Sequence, residues 1–194
     1  MINKDDKTHI YISGQFGDGT PPTDTLVLAA QNGCQESQHN LGCHYAEGSG
    51  VAQSWTEAIN WWTKAAQQGS MESQNNLGNC YRAGYGVVQD YVEALKWYLL
   101  GAKQDHAPSQ YATAKLFYEG LGVAQCYTTA IEWYKKAADS GFAHAQFALA
   151  EFYLKGEGVT QDFEEMLKWI KRAAQQGHEG AINLLAIIKA HGGL

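Results

Sequence analysis

His39, Cys43 and His44 lie close together in the sequence. Imidazole nitrogen and thiolate sulfur are ligands that zinc accepts. On a helix, residues i and i+4 share a face, so His39 and Cys43 could grip one ion. Two ligands do not close a tetrahedral site, so the expectation is no metal, with these residues on a polar helix face. Glu164 and Glu165 are adjacent carboxylates and Glu47 sits near a turn, which is the raw material of acid–base chemistry. Helix capping accounts for Glu165 and solvation for the other two. Four glycine pairs, GSGV at 48, GYGV at 84, GLGV at 120 and GEGV at 156, look superficially like phosphate loops. They follow a helical pattern and not a strand, and they lack the Lys-Ser/Thr of a phosphate loop. No Ser/His/Asp set can be tied to a pocket. The expectation is therefore no enzyme and no cofactor.

The glycine pairs recur every 36 residues, and so does a second block. KAAQQGS at 64 returns as RAAQQGH at 172. Between and before them stand AAQNG from Ala29, GAKQD from Gly101 and AADSG from Ala137. A fixed pitch of this size is the signature of stacked structural repeats.

Each unit carries two helical patterns. The first, helix A, runs through SQHNLGCHYAEG, SQNNLGNCYRAG, SQYATAKLFYEG and AQFALAEFYLKG. Its core stripe is read from Ser37, Leu41 and Tyr45, then Ser73, Leu77 and Tyr81, and in the fourth copy Ala145, Leu149 and Tyr153. The first glycine of GxGV closes helix A in the left-handed conformation, and the second lets the chain reverse. Helix B opens with capping boxes, SWTE at 54, DYVE at 90 and DFEE at 162, in which the Glu should reach back to the cap. CYTT at 126 breaks the box, so that helix is expected to fray at its start. The paired alanines let the end of helix B pack closely, the glycine ends it, and the Gln pair is expected to be solvated. The aromatic series Trp61, Trp62, Trp97, Tyr98, Trp133, Tyr134 and Trp169 lies in register on helix B and reads as packing.

The ends differ from the middle. Pro21 and Pro22 disfavour helix before them, so the first helix B should start near Thr23 or Asp24. HIYISGQF at 9–16 has the composition of a short strand or cap. At the other end, EGAINLLAIIKAHGG is a fifth helix A whose Gly192 falls in register with Gly156.

The chain has 194 residues, 45% hydrophobic and 18% charged, with a net charge of −6. That balance argues against a nucleic-acid footprint. No apolar run is long enough to span a bilayer. The N-terminus lacks the basic and apolar regions of a signal peptide, so a cytoplasmic protein is expected; removal of a leader would make it periplasmic or secreted. Cys34, Cys43, Cys80 and Cys126 show no regular pairing and read as free thiols.

SQNNLGNCYRAGYGVVQDYVEALKWYLLGAKQ resembles a Sel-one-like repeat (SLR), a relative of the tetratricopeptide repeat. LG, Tyr, GxGV, D-x-x-x-A, W-Y and A-A carry the likeness. It extends from about Asp24 to Gly193, with Thr113-Ala114 and Cys126 as departures in the third copy. The resemblance implies an all-α fold, a right-handed α-solenoid of antiparallel helix pairs whose A helices line a concave surface. Its parts would be an N-terminal segment 1–23, a partial helix B 24–33, repeats 34–69, 70–105, 106–141 and 142–177, and a C-terminal helix 178–194. It implies a scaffold or adaptor for protein partners, often in bacterial signalling, secretion or host interaction. The cysteine-rich branch of the family pairs a Cys of helix A with one of helix B in each repeat, a pattern this chain lacks.

A core stripe at 37, 41 and 45 leaves 39, 43 and 46 facing the groove. The expected partner-binding residues are His39, Cys43, Asn75, Asn79, Arg82, Tyr111, Lys115, Tyr118, Phe147 and Glu151. They vary while their neighbours repeat, as a tailored surface would, and the mix of rings and amides suits an extended peptide. The alternative is a dedicated inhibitor, such as an immunity protein that occludes a toxin, with a hydrolase a distant third. Ile182, Leu184, Leu185, Ile187 and Ile188 give the last helix an apolar side that a homodimer could cover.

Overall fold

The structure is a computed structural model and describes residues 22–190. The expected strand at 9–16, Pro21 and Gly192 lie outside them. The described residues form ten helices and no strand: α1 (Asp24–Gln31), α2 (Gln35–Glu47), α3 (Trp55–Gln67), α4 (Met71–Ala83), α5 (Tyr91–Ala102), α6 (Ala107–Glu119), α7 (Tyr127–Asp139), α8 (Ala143–Lys155), α9 (Phe163–Gln175) and α10 (Glu179–Ala190). This is an all-α solenoid of helical pairs. The A helices are α2, α4, α6, α8 and α10, and the B helices are α1, α3, α5, α7 and α9.

The chain divides into two compact units, one up to Trp97 and one from Tyr98. In the first, α1 packs on α2, α2 on α3, and α3 on α4. In the second, the same order runs from α6 through α10. Each interior A helix of a unit is thus covered by the B helix before it and by its own B helix.

The first helix starts where the prolines predict. Thr23 caps α1, its Oγ1 accepting from the Leu26 N–H at 3.2 Å. The caps of the later B helices hold in one half only. Ser54 Oγ accepts from Glu57 N–H at 3.3 Å, and Asp90 and Asp162 each accept from two backbone N–H groups at 2.9–3.0 Å. In the two aspartate-capped helices the glutamates turn outward instead of back. Glu93 pairs with Lys96 at 2.6 Å and Glu165 with Lys168 at 2.8 Å. The cap residue's own N–H has a different partner. Ser54, Asp90, Cys126 and Asp162 donate to the carbonyls of Tyr45, Tyr81, Phe117 and Tyr153 at 2.9, 2.9, 2.9 and 3.1 Å. Each of the four later B helices, α3, α5, α7 and α9, is therefore tied at its first turn to the end of the A helix before it. The same bond corrects the expected fraying at Cys126. Its backbone (φ −150°, ψ 100°) matches that of Ser54 (−151°, 103°), and α7 starts in register at Tyr127.

Two ladders of glutamine close the helix ends. Gln38, Gln74, Gln110 and Gln146 are buried, and each side-chain amide donates to the carbonyl of the residue eight places earlier: Ala30, Ala66, Ala102 and Ala138, at 3.0–3.3 Å. Gln53, Gln89, Gln125 and Gln161 donate to Ala46, Arg82, Tyr118 and Leu154 at 2.7–3.0 Å. The last turn of a helix leaves carbonyls without intrahelical partners, and these amides supply them. The second Gln of AAQQG joins the first ladder. Gln68 donates to Gln38 Oε1 at 2.7 Å and Gln176 to Gln146 Oε1 at 2.8 Å. All four glutamines of the two AAQQG blocks are exposed, as expected of a solvated pair, but the amides of Gln68 and Gln176 also serve the ladder. The alanines behave as read: Ala65, Ala66, Ala137, Ala138 and Ala173 are buried.

The LG motif is explained by a close approach. A Cβ on Gly42 would lie 2.6 Å from both Cδ1 and Nε1 of Trp62, which is fully buried and donates from Nε1 to the His39 carbonyl at 3.2 Å. Twenty residues separate the two. At the same spacing stand Ala114 and the smaller Tyr134, and Ala150 and the smaller Ile170, all four in one core cluster. In these two repeats, where the B-helix side chain is smaller than tryptophan, the A helix carries a methyl group. The outer tryptophans are covered by cations, Lys64 4.0 Å from the Trp61 ring centre and Lys136 4.3 Å from that of Trp133.

Candidate partner-binding face

Register places ten residues on one face of the A helices, and burial splits them. His39, Cys43 and Asn75 are buried. The expectation that they form part of an open face is corrected. His39 Nδ1 lies 2.8 Å from Ser73 Oγ, and its Nε2 lies 3.5 Å from Cys43 Sγ. Both contacts are inside the packing, so the expected polar-surface placement of this pair is also corrected. His44 Nδ1 is 2.9 Å from the Ser49 carbonyl, on the turn that ends α2. Burial pushes the Cys43 thiol up to about 12, which makes it a poor thiolate and a poor metal ligand. Among the described residues, no group of three or more His, Cys, Asp or Glu could hold a metal.

Asn79 and Arg82 on α4 are half-buried, as are Tyr111, Lys115 and Tyr118 on α6 and Phe147 and Glu151 on α8. The second unit holds these last five together. Tyr111 packs against Tyr134 and Phe142, with ring centres 5.5 and 5.3 Å apart, and reaches His144 at 6.0 Å. Tyr118 packs edge-on against Phe152 at 5.4 Å. Phe147 stacks on His178 at 4.6 Å, and His178 meets His144 at 5.0 Å. One edge of each ring is thus fixed by packing while the rest stays open. Lys115 lies 3.8 Å from Glu119 on the same helix, both partly exposed.

Sequence reasoning missed the rim of this face. An open depression of about 450 Å³ is lined by Ala143, His144, Gln176, Gly177, His178, Glu179 and Gly180. A depression of about 360 Å³ in the first unit is lined by residues including Gln35, Glu36, Ser70 and Glu72, which sit at the same register three repeats earlier. The geometry repeats but the chemistry does not, since Glu36 and Glu72 give way to His144 and Gly180, and Ser70 to His178. Burial lowers the pKa of both histidines, and the neighbouring His178 lowers that of His144 further. His178 Nδ1 also accepts the Ala181 N–H at 3.3 Å, so the ring caps α10 in its neutral form. His106 and His178 share a register, but Ser70 and Phe142 fill it in other repeats and His144 sits two positions further on, so the histidines do not read as a set.

The four cysteines are free. Cys80 is buried and pushed up to about 12 by desolvation. Cys126 is the opposite case. Its sulfur is 3.3 Å from Thr128 Oγ1 and 3.2 Å from Thr129 Oγ1, and these hydroxyls bring its thiol down to about 7.

The Sel1 repeat model matches four consecutive stretches, 35–70, 72–106, 107–142 and 143–178, which together exceed half of the chain. The chain belongs to the Sel1 repeat family. A Sel1 repeat protein from Oxalobacter formigenes is 33% identical, with a TM-score of 0.82 over 86% of this chain and 68% of that one. A protective antigen present in uropathogenic Escherichia coli strains, displaying an SLR fold, is 36% identical with a TM-score of 0.81. The match covers 86% of this chain but only 36% of the E. coli chain, so this Sel1 chain spans little more than a third of that relative's length. Helicobacter pylori cysteine rich protein B shares the fold at 16% identity and a TM-score of 0.56, over 68% of this chain and 95% of that one. No curated protein sequence matches. Sel1 repeats generally serve as protein-interaction scaffolds. Among the described residues, no helix is long and apolar enough to cross a membrane.

Proposed function

We propose that this Sel1 repeat chain is a non-enzymatic scaffold that binds a protein or peptide along the open face of its A helices. The residues in contact would be Tyr111, Lys115, Tyr118, Phe147 and Glu151 in the second unit; Asn79 and Arg82 hold the corresponding register in the first unit, taken by itself. One observation carries the reading. At the register of Lys115 and Glu151 the chain changes its residue in every repeat and, apart from the buried Cys43, keeps it partly exposed, while the buried neighbours keep repeating tasks such as the Gln ladder. A structural position repeats because its surroundings repeat; a position that varies and stays open is free to fit something else. Rings held on one side by packing offer contact area at little ordering cost, which suits them as anchors for a partner.

The test is binding by a variant that keeps its fold. Lys115→Ala, Glu151→Ala and Leu154→Ala remove the outward side chains of α6 and α8 without touching the buried residues. The triple variant should melt close to wild type and lose partner affinity by about 1–2 kcal/mol or more if one side chain is an anchor. A partner bound equally well by both proteins would end the proposal.

A further inference from the structure

Two A helices of the second unit bring His144 and His178 together at the N-terminal ends of α8 and α10. Their rings meet edge to face, with centres 5.0 Å apart. His178 also stacks on Phe147 at 4.6 Å, with 23° between the planes. Its Nδ1 accepts the Ala181 N–H at 3.3 Å, alongside the His178 carbonyl, which accepts the same N–H at 3.0 Å. His144 packs in turn on Phe142 at 5.3 Å and on Tyr111 at 6.0 Å. Gly180 lets Phe147 come in close, since a Cβ there would lie 3.0 Å from Phe147 Cζ. The first turn of α10 is therefore seated on α8 through the His178 ring, which caps the one helix and packs on the other.

We propose that the His144–His178 contact is an acid-sensitive latch, which holds the first turn of α10 on α8 while both rings are neutral and releases it when they take up protons. Three effects act in the same direction. A protonated Nδ1 carries a hydrogen and no longer accepts from Ala181, so the ring and the backbone N–H become two donors facing each other. Two imidazolium rings 5.0 Å apart repel each other. Each charge also sits in the first turn of a helix or just before it, where the aligned peptide dipoles disfavour a cation. The opposing effects are smaller. Glu179, on α10 itself, favours the charged form of His178, and the Phe147 face gives that form a cation–π contact. From the other elements, Phe142, Gln176 and Gly177 carry no charge, and Tyr111 of α6 contributes a ring. Burial holds both imidazoles below their ordinary range, and the charge of His178 lowers His144 further, so the seated turn prefers the neutral pair. The released rings titrate near the ordinary 6.5, and the hold is lost as pH falls through that value. The latch rests on α6 to α10 of this chain alone, whatever binds the A-helix face.

Amide hydrogen exchange of the whole chain, read residue by residue by NMR from about pH 7.5 to about pH 5 and corrected for the intrinsic rate, tests the latch. Protection of the Ala181 and Ile182 amides should fall below pH 6.5, by up to about tenfold per pH unit for each proton taken up, while the amides of α6 stay the better protected. A little urea should hardly change the acid-induced exchange, because opening one turn exposes little surface. His178→Asn keeps a side-chain oxygen that caps a helix and takes up no proton. Combined with His144→Phe it leaves no titrating ring at the contact, and protection should then be the same across the range. Protection at Ala181 and Ile182 that does not change with pH in the intact chain overturns the proposal. So does acid-induced exchange there that is as steeply urea-dependent as in α6, which would mean that the whole unit unfolds, and so does a loss that persists in the double variant. The imidazole proton resonances of the intact chain give a reading that needs no variant: both rings should titrate below pH 6.5, and a His178 that titrates at or above it overturns the latch.

Discussion

Gly42→Ala should destabilise the first unit although alanine is the better helix former. In an exposed helix the exchange would gain about 0.8–1.0 kcal/mol. At position 42 the new Cβ would sit 2.6 Å from two atoms of the Trp62 indole and 3.1 Å from a third. Trp62 has no exposed surface to retreat to, and its Nε1 is held by the His39 carbonyl at 3.2 Å. Forcing a methyl group into such packing costs about 1–3 kcal/mol. Moving the indole away also gives up a hydrogen bond of about 1 kcal/mol. Set against the helix gain, the net loss is about 1–3 kcal/mol. Urea unfolding followed by circular dichroism would read it. The decisive variant is Gly42→Ala with Trp62→Tyr, which copies the Ala114–Tyr134 pair. It should be no less stable than Trp62→Tyr alone, because the methyl group now has room. If Gly42→Ala alone is as stable as wild type, or if the double variant loses the sum of the two single losses, the packing argument is wrong.

Gln146→Leu should cost about 1–3 kcal/mol in thermal or urea unfolding, because the Ala138 carbonyl is left without its amide partner inside the stack. Asp105 takes the left-handed conformation (φ 59°) where the other four copies of the turn, Gly33, Gly69, Gly141 and Gly177, use glycine, so Asp105→Gly should raise stability by up to about 1 kcal/mol. The Asp105 contact to Gln110 at 3.3 Å offsets part of that gain. Cys126 should be alkylated with a midpoint near pH 7, while Cys43 and Cys80 stay unreactive in the folded protein, as mass spectrometry of trapped thiols would show. His144 and His178 have pKa values below the ordinary 6.5, so the folded state binds their protons less readily than the unfolded state does. Stability should therefore fall as pH drops through about 6.5, and His178→Gln should flatten that dependence in melting curves.

The 36-residue period, the left-handed glycines and the cap residues were legible because each rests on local backbone chemistry. Gly48, Gly84, Gly120 and Gly156 have φ between 69° and 77°, as a helix closed by glycine requires. The reciprocal half of the capping boxes was not legible, since the bonds from Ser54 to Tyr45 and its three counterparts join different helices. The Gln ladders were hidden for another reason. A glutamine reads as surface, and only the fold shows that its amide reaches a carbonyl eight residues back. The binding face was half legible. An amphipathic stripe assumes that a helix buries one side, but α2 is packed by B helices on two sides and buries Gln38, His39, Leu41, Gly42, Cys43, His44 and Ala46. Short side chains such as Cys43 and Ala46 end inside that layer. Longer ones at the same register, Lys115 and Glu151 or Tyr118 and Leu154, reach out of it.

The most direct test of the proposed face is site-specific photo-crosslinking in cells. A photoreactive residue at Lys115 on the A-helix face should yield a defined adduct with a partner protein. The same residue at Lys135, on the exposed side of α7, should yield none. An adduct from Lys135 with none from Lys115 would contradict the account and move the binding surface to the B helices.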